Sequence, residues 1–374
     1  MTTNVFLNLL KCAFWGTKPE VPSGFNQWMD VIKLAKVQSV LPLVADVMLK
    51  TPEIAYELSD DTKARLKSIA IGSIGSHVTL NRTLVTLVEE LRKHDIEGVL
   101  LKGQGIARNY PVTELRQCGD IDFYVGTENY LKACEVLGNI ASWKDNLNPM
   151  ETTKHYDVRI GIVTIEIHRY SDVNASAHYD RIYQRYSDEG LSKNLRVMEF
   201  AGVSVNTPAD DFNAFYIFNH LMHHFLTSGI GIRQFCDWMM FLHRYKDSLD
   251  YGKLERIIKD MGMMGPWQSM GCVLVKYLGM PQEVFPFYNP SKERKVKRIL
   301  KHVMTEGNFG QERAFFKDRS GEGYFYGKMK SFFSHLSRSA QLLMIFPSHI
   351  IRQFWNTVVS GFKAVWRDRF SRKK

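Results

Sequence analysis

Residues Gly98 to Val125 read GVLLKGQGIARNYPVTELRQCGDIDFYV, and this stretch decides the fold. Its apolar opening, Val99-Leu100-Leu101, ends at Lys102-Gly103, the pattern of a short buried strand running into a turn. A helix-like segment and a polar loop follow, and then Gly119-Asp120-Ile121-Asp122-Phe123-Tyr124-Val125. Side chains two apart on a strand share a face, so Asp120 and Asp122 point together while Ile121 and Phe123 point the other way. Neighbouring carboxylates raise each other's pKa unless a cation lies between them. A hard, oxygen-seeking divalent ion such as magnesium meets that cost.

The same alternation recurs downstream. Asp157–Ile160 and Val163–His168 are extended runs separated by Gly161-Ile162, which predicts an antiparallel hairpin. In the second arm Val163, Ile165 and Ile167 face one way, and Thr164, Glu166 and His168 the other. A glutamate between isoleucines fits a strand whose polar face lines a cleft or solvent. If the hairpin pairs beside the Asp120–Asp122 strand, Glu166 becomes a third carboxylate, and three carboxylates can hold two magnesium ions. The plain alternative is a strand end with solvated acids, because Asp-x-Asp triplets are common.

Working outward, residues 1–95 read as helical. Trp28, Val31, Ile32, Leu34 and Ala35 recur at helical spacing, and Ser59-Asp60-Asp61 offers N-cap chemistry. Leu80, Leu84, Leu87, Val88 and Leu91 form one helix face, expected to pack on the sheet. Residues 96–207 form an α/β core, with a helix over Asn129–Ile140 and a further strand at Val203–Asn206. Residues 208–290 are helical, opened by Pro208-Ala209-Asp210-Asp211 and interrupted at Ser228-Gly229 and Gly265-Pro266. Pro281, Pro286 and Pro290 mark a linker to the basic segment 291–374. The fold class expected is α+β: a small mixed β-sheet core flanked by N-terminal and C-terminal helical regions.

Bulk properties bound the function. A chain of 374 residues with 45% hydrophobic and 24% charged side chains is an ordinary soluble protein of two or three packed units. No apolar run approaches the roughly 20 residues that cross a bilayer, and no signal peptide is visible. Five scattered cysteines without CxxC pairing point to a reduced, cytoplasmic protein rather than a disulfide framework or a zinc site. Of the net charge of +10, residues 291–374 carry +13 and the rest −3. From Gly323 onward the one acid is Asp368, and Ile350, Phe354, Trp355, Val358, Phe362 and Trp366 share a broad apolar face with Arg352, Lys363 and Arg369 nearby. Such an amphipathic segment suits peripheral contact with the inner face of a membrane, a protein partner or its own core, with nucleic acid ranked last.

The stretch LLKG…YP…R..GDIDFYV, followed by IEIH, resembles the uncharacterised nucleotidyltransferase family of the DNA polymerase β-like superfamily. The resemblance covers about residues 20–245 and is strongest at 98–125, 155–168 and 216–240. It implies a nucleotidyltransferase core whose Asp120 and Asp122 are metal ligands, with Glu166 as a third ligand or as the base for the acceptor hydroxyl. It further implies magnesium as cofactor, a nucleoside triphosphate as substrate, and transfer of a nucleoside monophosphate to an acceptor with release of pyrophosphate. The acceptor is a hydroxyl or phosphate on a sugar, polysaccharide precursor, protein or RNA.

Lys102 and Gly103 then sit where a triphosphate is held, Lys102 as a point charge. Where the superfamily has Gly-Gly or Gly-Ser, this chain has Gly103-Gln104, whose amide can donate but whose side chain restricts backbone approach. Arg116 has two open roles, clamping a phosphate or pairing with an acid of the site. Arg233 either pairs with Asp237 at i, i+4 or reaches the triphosphate. His168 either orients Glu166 or is satisfied by a neighbouring strand, and His220 and His224 read as packed histidines despite their zinc-like spacing. Two other readings stand beside the enzyme: an inactive nucleotidyltransferase-fold scaffold, motivated by Gln104, and similarity to nucleotidyltransferase toxins that modify tRNA.

Overall fold

A computed structural model describes residues 1–174, 176–307, 342–348 and 351. The chain opens with α1 (Thr2–Trp15), α2 (Trp28–Val37), α3 (Leu41–Lys50), α4 (Pro52–Glu57) and the long α5 (Asp60–Arg92). The core follows with β1 (Val99–Leu100), α6 (Gln104–Ala107), β2 (Asp120–Tyr124), α7 (Gly126–Ile140) and β3 (Trp143–Lys144). Then come β4 (His155–Ile160), β5 (Val163–His168), α8 (Ala177–Gly190), β6 (Arg196–Phe200) and β7 (Val203–Thr207). The chain continues through α9 (Asp210–Leu226), α10 (Ile232–Tyr245), α11 (Tyr251–Asp260), α12 (Met264–Leu278) and α13 (Val296–Glu306).

Among the described residues one seven-stranded mixed sheet forms, in the order β3-β4-β5-β2-β1-β7-β6. With helices on either side, the architecture is α+β, as the patterning predicts. The expected hairpin closes at Gly161-Ile162, pairing Ile160 with Val163, and Gly161 takes the positive φ of 59° that a two-residue turn favours. Its second arm lies parallel to β2. Ile121, Phe123, Ile165 and Ile167 are buried against Leu80, Leu84, Leu87 and Leu91 of α5 and Tyr130 and Leu137 of α7. Fully burying each such side chain contributes about 1.5–3 kcal/mol. A one-residue slip of either strand would turn these side chains into the cleft and bury the acids, so the register is strongly fixed.

Several elements escape the sequence reading. β6 pairs with β7 across the Ala201-Gly202 turn, and α8 follows the hairpin. Gly265-Pro266 does not interrupt a helix: it lies in the first turn of α12, where a proline costs no hydrogen bond. The expected linker is packed rather than free. Phe285 is buried against Trp238 and Trp267, and the Trp267 indole donates to the Pro286 carbonyl. Ser59 caps α5 as expected, accepting from the Thr62 amide.

A second core joins α1 and α3 to α9, α10, α12 and α13. Val296, Ile299 and Val303 of the basic segment belong to it, as do Leu342, Ile345 and Phe346. Lys295 donates to the Ile345 carbonyl at 2.6 Å and lies over the Phe346 ring. This part of the segment therefore covers the protein's own core. The apolar residues from Phe354 to Trp366, on which the membrane expectation rests, lie outside the described residues. No helix among the described residues is long and apolar enough to cross a membrane. The five cysteines are free thiols.

Gly98 leads into β1 at a point where no side chain fits. A Cβ there would sit 2.3 Å from the Phe123 ring and 2.8 Å from the Tyr124 carbonyl oxygen. Gly98→Ala is expected to lower stability by about 1–3 kcal/mol, the range for overpacking, read as a lower urea midpoint with an unchanged slope.

Candidate active site

Parallel pairing places Asp122 directly opposite Glu166 and Asp120 opposite Thr164. On the other side of β5, His155 lies opposite His168 and Asp157 opposite Glu166. Because facing residues in register share a sheet face, one polar face carries Asp120, Asp122, Glu166, His168, His155 and Asp157. The hydrophobic alternation that anchors the opposite face is what puts these groups together.

Asp122 is buried, and its Oδ1 accepts from the Lys102 ammonium at 2.9 Å and lies 3.1 Å from His168 Nε2. The same Nε2 is 3.1 Å from Glu166 Oε2, so His168 bridges the two carboxylates. His168 Nδ1 faces the Tyr170 carbonyl at 3.2 Å, which orients the ring. Burial alone would raise the Asp122 carboxyl, but Lys102 and His168 outweigh it and hold it well below the usual carboxylate range. Asp120, at the cleft mouth, goes the other way: desolvation first and the neighbouring Asp122 second push its carboxyl up. Burial works against the charge on Glu166 too, yet the His168 contact leaves its carboxyl lowered. Adjacent acids thus hold different affinities for a proton, the condition for dividing roles between them.

α9 and α10 close a cleft of about 230 Å³ over this face. Ile217, His220, His223 and His224 line it from α9, and Arg233, Gln234 and Asp237 from α10. α9 is tied to the sheet side through Asp172, which accepts from Asn219 and from Lys154 at 3.1 Å. Lys154, immediately before β4, also faces the cleft and went unread in the sequence. Its one signal is a cation adjoining the polar end of the hairpin. His220 and His224 stack edge to face with ring centroids 4.4 Å apart. Burial pulls both below the ordinary imidazole range, His224 to about 3, so both are neutral.

The remaining predicted residues divide. Lys102 and Gly103 line the cleft, and the Lys102 ammonium is paired with Asp122. Gly103 has φ 58° and ψ −118°, a conformation suited to glycine. Gln104 does not present its amide to the cleft. Its side chain is buried, and neither amide atom has a hydrogen-bond partner. Arg116 does not pair with an acid of the cluster. It makes a two-pronged pair with Asp237, both contacts 2.8 Å, which Tyr110 completes at 2.7 Å. Asp237 is therefore taken from across the domain surface rather than by Arg233 on its own helix. Arg233 lines the cleft and donates to the Gln117 carbonyl at 2.7 Å.

The cleft thus has paired strand carboxylates below and basic side chains around it. Residues 26–279 match the family described as uncharacterised nucleotidyltransferase, and the chain belongs to that family. No curated protein and no solved structure matches it.

The family implies a divalent metal ion and a nucleoside triphosphate. The donors fit such an ion, since hard carboxylate oxygens of Asp120, Asp122 and Glu166 occupy one face and Asp122 already draws the Lys102 ammonium. The tightest donor set is different, however: His155, Glu166 and His168 offer ligand atoms all within 4.8 Å of one another.

Proposed function

We propose that this protein is a magnesium-dependent nucleotidyltransferase that moves a nucleoside monophosphate from a nucleoside triphosphate onto a hydroxyl or phosphate acceptor, releasing pyrophosphate. The observation that carries the reading is the register pairing Asp122 with Glu166, with Asp120 on the same face, beneath a cleft lined by Lys102, Lys154 and Arg233. A magnesium ion held by Asp122 and Glu166 would neutralise phosphate charge and make the acceptor oxygen a better nucleophile.

In this reading the acceptor oxygen forms a bond to the α-phosphorus. The bond from that phosphorus to the bridging oxygen breaks, and the electron pair leaves with pyrophosphate. Asp120 takes the acceptor proton, because its carboxyl is the lifted one of the three. Glu166, whose carboxyl is lowered, serves better as a ligand. Lys102 exchanges its Asp122 contact for a phosphate oxygen when the triphosphate enters, and Arg233 and Lys154 steady the remaining phosphate charge. The burial of Gln104 removes the expected amide donor and also keeps its bulk out of the cleft.

The test is pyrophosphate release with magnesium and each of the common nucleoside triphosphates, with sugar, peptide and RNA acceptors offered in turn. Absence of both release and magnesium-dependent triphosphate binding would sink the reading. Lys102→Met is expected to raise KM for the triphosphate at least about tenfold, the value of one lost charge-assisted contact of roughly 1.5–3 kcal/mol. An unchanged KM would remove Lys102 from the phosphate site.

A further inference from the structure

We infer that His155, Glu166 and His168 form a second, nitrogen-rich cation site that takes a first-row divalent ion such as Zn²⁺ or Mn²⁺. The proposal deepens the reading above, sharing Glu166 with it, but needs no nucleotide. The donor atoms of these three residues lie within 4.8 Å of one another. His155 Nδ1 is 3.7 Å and His168 Nε2 is 3.1 Å from the same Glu166 oxygen. Ligands around a tetrahedral zinc ion with bonds of about 2.0–2.1 Å are about 3.3 Å apart, so these separations bracket what an ion needs.

One imidazole is oriented from behind, as metal-binding histidines are, and the other has a carboxylate near its far nitrogen. His168 Nδ1 faces the Tyr170 carbonyl, turning Nε2 toward Glu166. His155 Nε2 lies 3.5 Å from Asp157 Oδ1, with Nδ1 on the Glu166 side at 3.7 Å. His155 Nδ1 is itself buried without a hydrogen-bond partner, and Asp157 Oδ1 has none either. A cation held by Nδ1, with the Nε2 proton given to Asp157, satisfies both atoms. Two imidazole nitrogens and one carboxylate suit a first-row ion such as zinc, with manganese a weaker fit, whereas magnesium prefers oxygen alone. Glu166 is shared: with Asp122 it faces the magnesium position, and with the two histidines on the β4 side it faces the softer ion.

Zinc outbinds magnesium at almost any nitrogen-containing site, so the readout is dependence on His155 rather than preference. The full chain, stripped with EDTA and free of nucleotide, is titrated calorimetrically with Zn²⁺, Mn²⁺ and Mg²⁺. His155→Gln is expected to weaken Zn²⁺ and Mn²⁺ at least tenfold and to leave Mg²⁺ unchanged. Equal Zn²⁺ affinity in wild type and variant overturns the site. A variant-independent check is pulsed electron paramagnetic resonance of the Mn²⁺-loaded wild-type chain, which should show imidazole ¹⁴N coupling. A spectrum without nitrogen coupling overturns the site even if His155→Gln misfolds. Nitrogen coupling in a chain that releases no pyrophosphate would uphold the cation site while the transfer reading fell.

Discussion

Asp120→Asn is expected to abolish nucleotidyl transfer while raising the melting temperature of the metal-free protein. The carboxyl of Asp120 is pushed up by desolvation and by Asp122, so in the folded state its charge is unfavourable. For an acid with a raised folded pKa, the charged form costs stability above that pKa, and the cost disappears as pH falls through it. Asparagine removes the cost at every pH, with a gain of about 2 °C for each kcal/mol of repulsion relieved. Activity should fall by about 10²–10⁴-fold, the contribution of a positioned general base, since asparagine cannot take the acceptor proton.

Asp122→Asn separates the two effects. It leaves the buried Lys102 and His168 without their shared partner, so both activity and metal-free stability should fall. Pyrophosphate release at saturating triphosphate, set beside melting in EDTA, reads both quantities. Asp120→Asn with wild-type turnover would place Asp120 outside the chemistry.

Arg116→Met is expected to destabilise the fold by about 3–5 kcal/mol, the cost of leaving a buried charge without its partner. Both side chains of the Arg116–Asp237 pair are about 5% exposed, and the pair joins the loop before β2 to α10. Replacing both residues, as Arg116→Met with Asp237→Leu, should recover most of the loss, since apolar groups of similar volume need no partner. Urea unfolding measures each. Burial would raise the Asp237 carboxyl, but Arg116 outweighs it and holds it low. A depressed folded pKa contributes stability present above the unfolded carboxylate range and lost as pH falls through the folded value. The gap between wild type and Arg116→Met should therefore narrow below about pH 4. A gap constant down to pH 2 would show that the pair is not the source of the difference.

Much of the site was legible because strand periodicity is a local property. The alternation in DIDFY and VTIEIH fixed which side chains share a face, and Gly161-Ile162 fixed the hairpin. Periodicity also separated the acids from the isoleucines that anchor the register. Ser59 and the leucine face of α5 were legible for the same reason.

What the tertiary structure decided is partner choice. Asp237 lies four residues from Arg233 on one helix, yet Arg116 from 121 positions away takes it, because two burying surfaces meet there. Lys154 and His155 gained meaning only when β4 paired beside β5 and α9 closed above them. Gln104, adjacent to the turn glycine in sequence, points into the core instead of the cleft. Sequence by itself determined that three acids stand on strand faces, near a lysine at the turn after the first strand. The assembly of sheet and helices determined which cation each acid meets, because burial makes a charge choose the nearest partner that can replace water.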